Sequence, residues 1–96
     1  MSMKKAYEQK LQSKLDEWSA QVDILKAKAD SAEADAKLEY QKQIDDLRAK
    51  QDSAREKLDE LKEAGEDAWQ DLKAGIESAW DSLGSSVDSA MSRFKN

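Results

Sequence analysis

Residues 66–76 read EDAWQDLKAGI, residues 77–87 read ESAWDSLGSSV and residues 88–96 read DSAMSRFKN. An eleven-residue unit therefore repeats through the C-terminal third of the chain. Its apolar members fall at matching positions: Trp69, Trp80 and Met91; Leu72, Leu83 and Phe94; Ile76 and Val87. At about 100° per residue these positions cover roughly 140° of a helix surface, wider than the seam of a two-stranded coiled coil. The repeat predicts an amphipathic helix over residues 65–96.

The same apolar face continues towards the N-terminus. From Tyr7 to Phe94 an apolar or small residue recurs every three or four positions, interrupted by Gln51, with a mean step of about 3.6, the period of a straight α-helix. Over Leu15 to Ala36 and Ile44 to Leu72 the steps alternate between three and four, which is the heptad spacing of left-handed coiled coils. Residues 1–64 are therefore predicted to form a heptad-rich coiled-coil helix. The predicted fold class is all-α, an elongated coiled coil of long amphipathic helices.

Two places along this face raise the question of a helix break. Gly65 follows the last heptads and precedes Glu66 and Asp67, acids that suit the first turn of a new helix. Because Gly65 also lies on the apolar face, a hinge and a close approach by a neighbouring helix are both open there. Residues 30–33 have the spacing of a capping box, but they lie in an alanine-rich stretch of high helix propensity. Gly65 is the strongest candidate for a break, with both alternatives open, and a continuous helix is predicted through residues 30–33.

An apolar face of this length needs a partner. A single helix of about 90 residues would be about 135 Å long and would leave the face in water. The facing helix comes either from another subunit or from the same chain folded back near Gly65. We expect a self-associating homo-oligomer. The predicted interaction face is Trp18, Leu25, Tyr40, Leu47, Leu58, Leu61, Trp69, Leu72, Ile76, Trp80, Leu83, Val87, Met91 and Phe94.

Composition excludes most catalytic and metal sites. The 96 residues include no cysteine and no histidine, so zinc modules, disulfide scaffolds and Ser-His or Cys-His catalysis are absent. The acidic residues lie among lysines at helical spacing and match no calcium loop. We therefore expect a protein that is not an enzyme, with no catalytic residue, metal, cofactor or small-molecule substrate.

Charge and hydropathy disfavour nucleic acid as a partner and a membrane-spanning segment. The 16 basic and 21 acidic residues are interleaved and give a net charge of −5, which disfavours nucleic-acid binding. No secretory signal follows the first lysines, and no apolar run is long enough to span a bilayer. We expect a cytoplasmic protein.

A membrane surface is the alternative partner. The helix predicted over residues 65–96 has bulky apolar residues on one face and a polar face rich in serine and acids. Such a helix cannot rely on anionic headgroups, but its aromatic residues can enter packing defects of curved membranes. Reversible membrane binding through this helix is therefore the alternative to protein interaction.

Several segments resemble a family of small bacterial coiled-coil proteins, found mainly in cyanobacteria and proteobacteria, that take part in stress responses. They are LDEW (residues 15–18), LKAKAD (25–30), AKLEY (36–40), GEDAW (65–69), AW (79–80) and RFK (93–95). The resemblance covers nearly the whole chain, and its Trp-containing eleven-residue repeats are its most specific part. It implies a cytoplasmic, non-enzymatic helical protein that acts under stress. It supplies no catalytic residues. The repeats are also similar in pattern to those of apolipoproteins and desiccation-protective proteins.

Overall fold

Three long helices account for nearly all of the computed structural model, which describes residues 2–94. They are α1 (Met3–Asp30), α2 (Ala34–Glu63) and α3 (Trp69–Arg93). Residues 1, 95 and 96, at the ends of the two predicted regions, lie outside the described residues. The predicted all-α, elongated fold is confirmed, since the chain measures 51 × 20 × 18 Å.

The helices run up, down and up along one bundle. At one end the ring of Tyr7 lies 5.6 Å from that of Trp69, which places the start of α1 beside the start of α3. At the other end Tyr40 stacks on Phe94 with ring centroids 3.9 Å apart. Helices α1 and α3 are therefore parallel, and α2 is antiparallel to both. Each helix packs against the other two.

The core of the bundle lies along its axis. Leu25, Leu47, Leu61 and Leu83 are all 0% exposed and come from all three helices. Removing each such side chain from water contributes on the order of 1.5–3 kcal/mol. The apolar face predicted from the sequence is therefore covered by other helices of the same chain.

Of the two alternatives at Gly65, the structure shows the break. Helix α2 ends at Glu63, and the carbonyl oxygen of Gly65 accepts hydrogen bonds from the backbone N–H groups of Ala68 and Trp69, both at 3.1 Å, as α3 begins. A Cβ atom at Gly65 would have nothing within 4 Å. Gly65 thus lies in the loop between two helices, and the close-packing alternative is wrong.

The predicted continuous helix through residues 30–33 is wrong. Ser31 ends α1, its N–H donating to the carbonyls of Ala29 and Lys28, and Glu33 precedes α2 with an extended ψ of 161°. Glu33 forms no side-chain capping bond, so the capping-box spacing is not used. Reversal here lets the heptads of α1 bury against those of α2, and that packing outweighs the small helix propensity of the alanines. The predicted region 1–64 accordingly holds two helices.

Two lysines of α1 close the ends of the bundle. The ammonium of Lys4 donates to the carbonyl of Lys62 at 3.1 Å, and that of Lys28 donates to the carbonyl of Phe94 at 3.2 Å. Both acceptors lie at the C-terminal end of a helix, where backbone carbonyls lack helical partners and positive charge is favoured. These bonds fix the axial position of α1 against α2 and α3.

Candidate interaction surface

The predicted interaction face lies in the intrachain core. The residues with little or no exposure are Leu25, Tyr40, Leu47, Leu58, Leu61, Trp69, Ile76, Trp80, Leu83 and Val87. Those that are partly buried and pack against this core are Trp18, Leu72, Met91 and Phe94. The folded chain brings all of these residues together, so its accessible surface for a partner must be built from other side chains as well.

A groove lies between α1 and α3. It encloses about 690 Å³. We call it the α1–α3 groove. It is lined by Tyr7, Lys10, Leu11, Lys14 and Trp18 of α1 and by Glu77, Trp80, Asp81, Gly84, Ser85, Asp88 and Ser89 of α3. Aromatic side chains thus lie in its floor and charged ones along its rims.

The floor of the groove depends on a glycine. A Cβ atom built on Gly84 would lie 2.9 Å from Cζ2 of Trp18, closer than side chains normally approach. The missing side chain therefore lets the Trp18 indole lie against the backbone of α3. Sequence analysis singled out Gly65 and overlooked Gly84; the available signal was a glycine within a helical repeat, away from either end.

Trp80 holds the two walls of the groove together. Its indole Nε1 donates a hydrogen bond to the carbonyl oxygen of Leu11 at 3.2 Å. The indole is also 6% exposed, so its apolar surface is packed in the core. Buried tryptophan normally finds a partner for its N–H, and here the partner is on the neighbouring helix.

Tyr7 closes one end of the groove. Its hydroxyl lies 3.5 Å from Oε1 of Glu77. Burial, followed by the negative charge of Glu77 and the hydrogen bond to it, raises the pKa of Tyr7 above its ordinary value. The ammonium of Lys73 lies 5.5 Å from the centre of the Tyr7 ring and 5.9 Å from that of Trp69, a distance suited to cation–π attraction.

The two rims of the groove carry opposite charge. Lys10 and Lys14 lie on α1, whereas Glu77, Asp81 and Asp88 lie on α3. Within residues 2–94 no ion pair joins the rims, and the ammonium of Lys14 instead lies 3.6 Å from the Glu17 carboxylate on its own helix. Lys10 and Lys14 were not among the predicted site residues, because apolar periodicity does not identify exposed lysines.

A second cleft lies at the end of the bundle where α1 meets α2. It encloses about 670 Å³ and includes Ile24, Ala32, Tyr40 and Phe94. Ile24 is 46% exposed. Lys28 also lines the cleft, and its ammonium donates to the Phe94 carbonyl. The α1–α3 groove, with opposite charges on its two rims, offers more features for recognition.

Other kinds of site are not indicated in the part of the chain that the structure describes. No group of three or more acidic side chains there converges on a position for a metal ion. None of the three helices is both long and apolar enough to cross a bilayer. Comparison with protein-family models, curated proteins and solved structures gave no match.

Two glycines of α3 test the contact between Trp18 and Gly84. We expect Gly75→Ala to raise the free energy of unfolding by about 0.5–1 kcal/mol, because the site is open and alanine is the better helix former. Gly84→Ala makes the same exchange but places a methyl group against Trp18. We expect overpacking to leave it about 1–3 kcal/mol less stable than Gly75→Ala in urea denaturation. Equal stability of the two variants would contradict the contact.

Proposed function

We propose that the protein is a non-enzymatic helical interaction module that binds another protein chain in the α1–α3 groove. The observation that carries this proposal is the presence of Tyr7 and Trp18, both partly exposed, in an open groove between two charged rims. Protein interfaces are enriched in tyrosine and tryptophan at their centres and are polar at their edges. The resemblance to the bacterial stress-response family supports a cytoplasmic role under stress.

Site-specific cross-linking tests this function. Ser85 is exposed in the groove, and Arg48 is exposed on α2 outside it. A photoreactive phenylalanine analogue at Ser85 should form covalent adducts with protein when cells that produce the chain are irradiated. The same analogue at Arg48 is the matched control. Abundant adducts at Ser85 and few at Arg48 support the proposal, whereas equal yields at both positions, or none at Ser85, refute it.

A second candidate function is reversible binding to a membrane surface by α3. The favouring observation is that α3 has its buried apolar side chains on one face, whereas its exposed face is rich in serine and acidic residues. Its apolar side chains, among them Trp69, Trp80 and Leu83, are buried in the closed bundle. Membrane binding therefore requires the bundle to open and these residues to exchange protein contacts for lipid.

Lipids that quench tryptophan fluorescence separate the two functions. Small, highly curved vesicles of neutral lipid with brominated acyl chains should leave the emission of Trp69 and Trp80 unchanged if the groove of the closed bundle is the functional surface. The measurement is made in a Trp18→Phe background, because Trp18 is partly exposed. Strong quenching, with little dependence on salt, would favour membrane binding, since the polar face of α3 is not basic.

A further inference from the structure

The charges along the α1–α3 groove identify the kind of chain that fits it. We propose that the occupant is a second copy of this protein, docked so that α1 of each copy lies over α3 of the other and the two bundles are parallel. This inference rests on the proposed function, since it names the partner of the same groove.

The rims of one chain are complementary to those of a second. The α1 rim has the positive charges of Lys10 and Lys14, and the α3 rim has the negative charges of Glu77, Asp81 and Asp88. The Tyr7 hydroxyl of α1 contacts Glu77 of α3, and the Leu11 carbonyl of α1 accepts a hydrogen bond from Trp80 of α3. The two charged rims therefore lie at the same height along the bundle axis. A partner that offers carboxylates to α1 and lysines to α3 at this level satisfies both, and this chain does so itself.

Symmetry selects the orientation. Two copies that meet face to face are related by a two-fold axis in the plane between them. An axis parallel to the helices places α1 over the partner's α3, so that lysines oppose carboxylates. An axis perpendicular to the helices places α1 over α1 and α3 over α3, so that like charges meet and association is disfavoured. The parallel arrangement is therefore favoured.

The face is large enough for a stable dimer. With extents of 51 and 20 Å, one side of the bundle has a projected area of roughly 1,000 Å². A standard interface buries about 800 Å² on each partner. The α3 side of the groove is lined in part by residues with small or no side chains: Gly84, Ser85 and Ser89. A helix of the partner can therefore come close to Trp18.

Charge reversal tests the pairing directly. One variant carries Lys10→Glu and Lys14→Glu, and the other carries Glu77→Lys and Asp81→Lys. All four side chains are exposed, so both variants should keep the helical circular dichroism of the parent. We expect the parent to dimerise in sedimentation equilibrium and each variant alone to dimerise tenfold or more weakly. An equimolar mixture of the two variants should recover the dimer, because every reversed rim then meets its complement.

The matched control reverses charges away from the groove. Lys42→Glu with Arg55→Glu makes the same change in net charge as the α1 variant, at exposed positions of α2. This control should dimerise as the parent does. A parent that stays monomeric at all attainable concentrations, or variants that dimerise normally alone, would overturn the proposal. If the dimer proposal fails but Ser85 forms cross-links to other proteins, the proposed interaction function is still supported.

The orientation has its own measurement, which does not depend on the charge variants. The chain has no cysteine, so Gln70→Cys supplies one spin-label site per chain, at the exposed start of α3. Electron spin resonance should give a distance between the two copies of about 30 Å or less, because parallel bundles bring the same ends together on helices spaced about 8–10 Å apart. A distance close to the 51 Å length of the bundle would show antiparallel copies and refute the proposed pairing.

Discussion

Replacing Leu83 with alanine should lower the free energy of unfolding by about 2–5 kcal/mol. Leu83 is 0% exposed and lies in the core between α3 and the other two helices. Its truncation removes buried apolar surface and leaves a cavity that long, packed helices cannot readily close. For a domain of this size the midpoint of thermal unfolding should fall by at least about 8 °C.

Leu38→Ala is the control for this loss. Leu38 is 64% exposed on α2, so the same truncation should change stability by less than about 0.5 kcal/mol. Urea denaturation followed by circular dichroism measures both variants on the same scale. A similar small change for Leu83→Ala would mean that α3 does not pack in the core.

The second large effect is expected at Trp80. Trp80→Ala should cost about 3–5 kcal/mol, because it removes a large buried side chain between α1 and α3 together with its hydrogen bond to Leu11. Trp80→Phe keeps an aromatic ring but removes the N–H donor, and should cost about 1–2 kcal/mol. Calorimetry or urea denaturation of the two variants separates packing from hydrogen bonding. Equal losses for the two variants would show that packing of the ring contributes little.

Much of this fold follows from apolar periodicity. The steps of three and four along the chain identify which side chains are buried, since Leu25, Leu47 and Leu83 are each predicted on the face and each is fully buried. The break near Gly65 is also predictable, because a glycine followed by two acids is a common junction between helices. Periodicity does not say which helix lies opposite, because the same face suits an intrachain and an intermolecular partner equally.

The reversal at residues 31–33 had one local signal, the capping-box spacing of residues 30–33, but the helix propensity of the surrounding alanines led to the wrong prediction. The packing of α1 on α2 favours the turn. The α1–α3 groove was hidden for a related reason. Its lysines and carboxylates are ordinary surface residues in the sequence, and only the parallel placement of α1 and α3 brings Lys10 and Lys14 to the same groove as Glu77 and Asp81. Gly84 has meaning only once Trp18 is known to lie against it.

The central claim is that the apolar face is buried within a single chain that turns back twice. An intrachain distance between spin labels at Gln9→Cys and Gln70→Cys, exposed at the starts of α1 and α3, tests it most directly. Labelled chains are diluted in excess unlabelled protein, so that only distances within one chain are observed. The bundle predicts a distance below about 30 Å, since neighbouring helices lie about 8–10 Å apart. A continuous helix would separate the labels by about 90 Å, and a distance of that order would contradict the intrachain bundle.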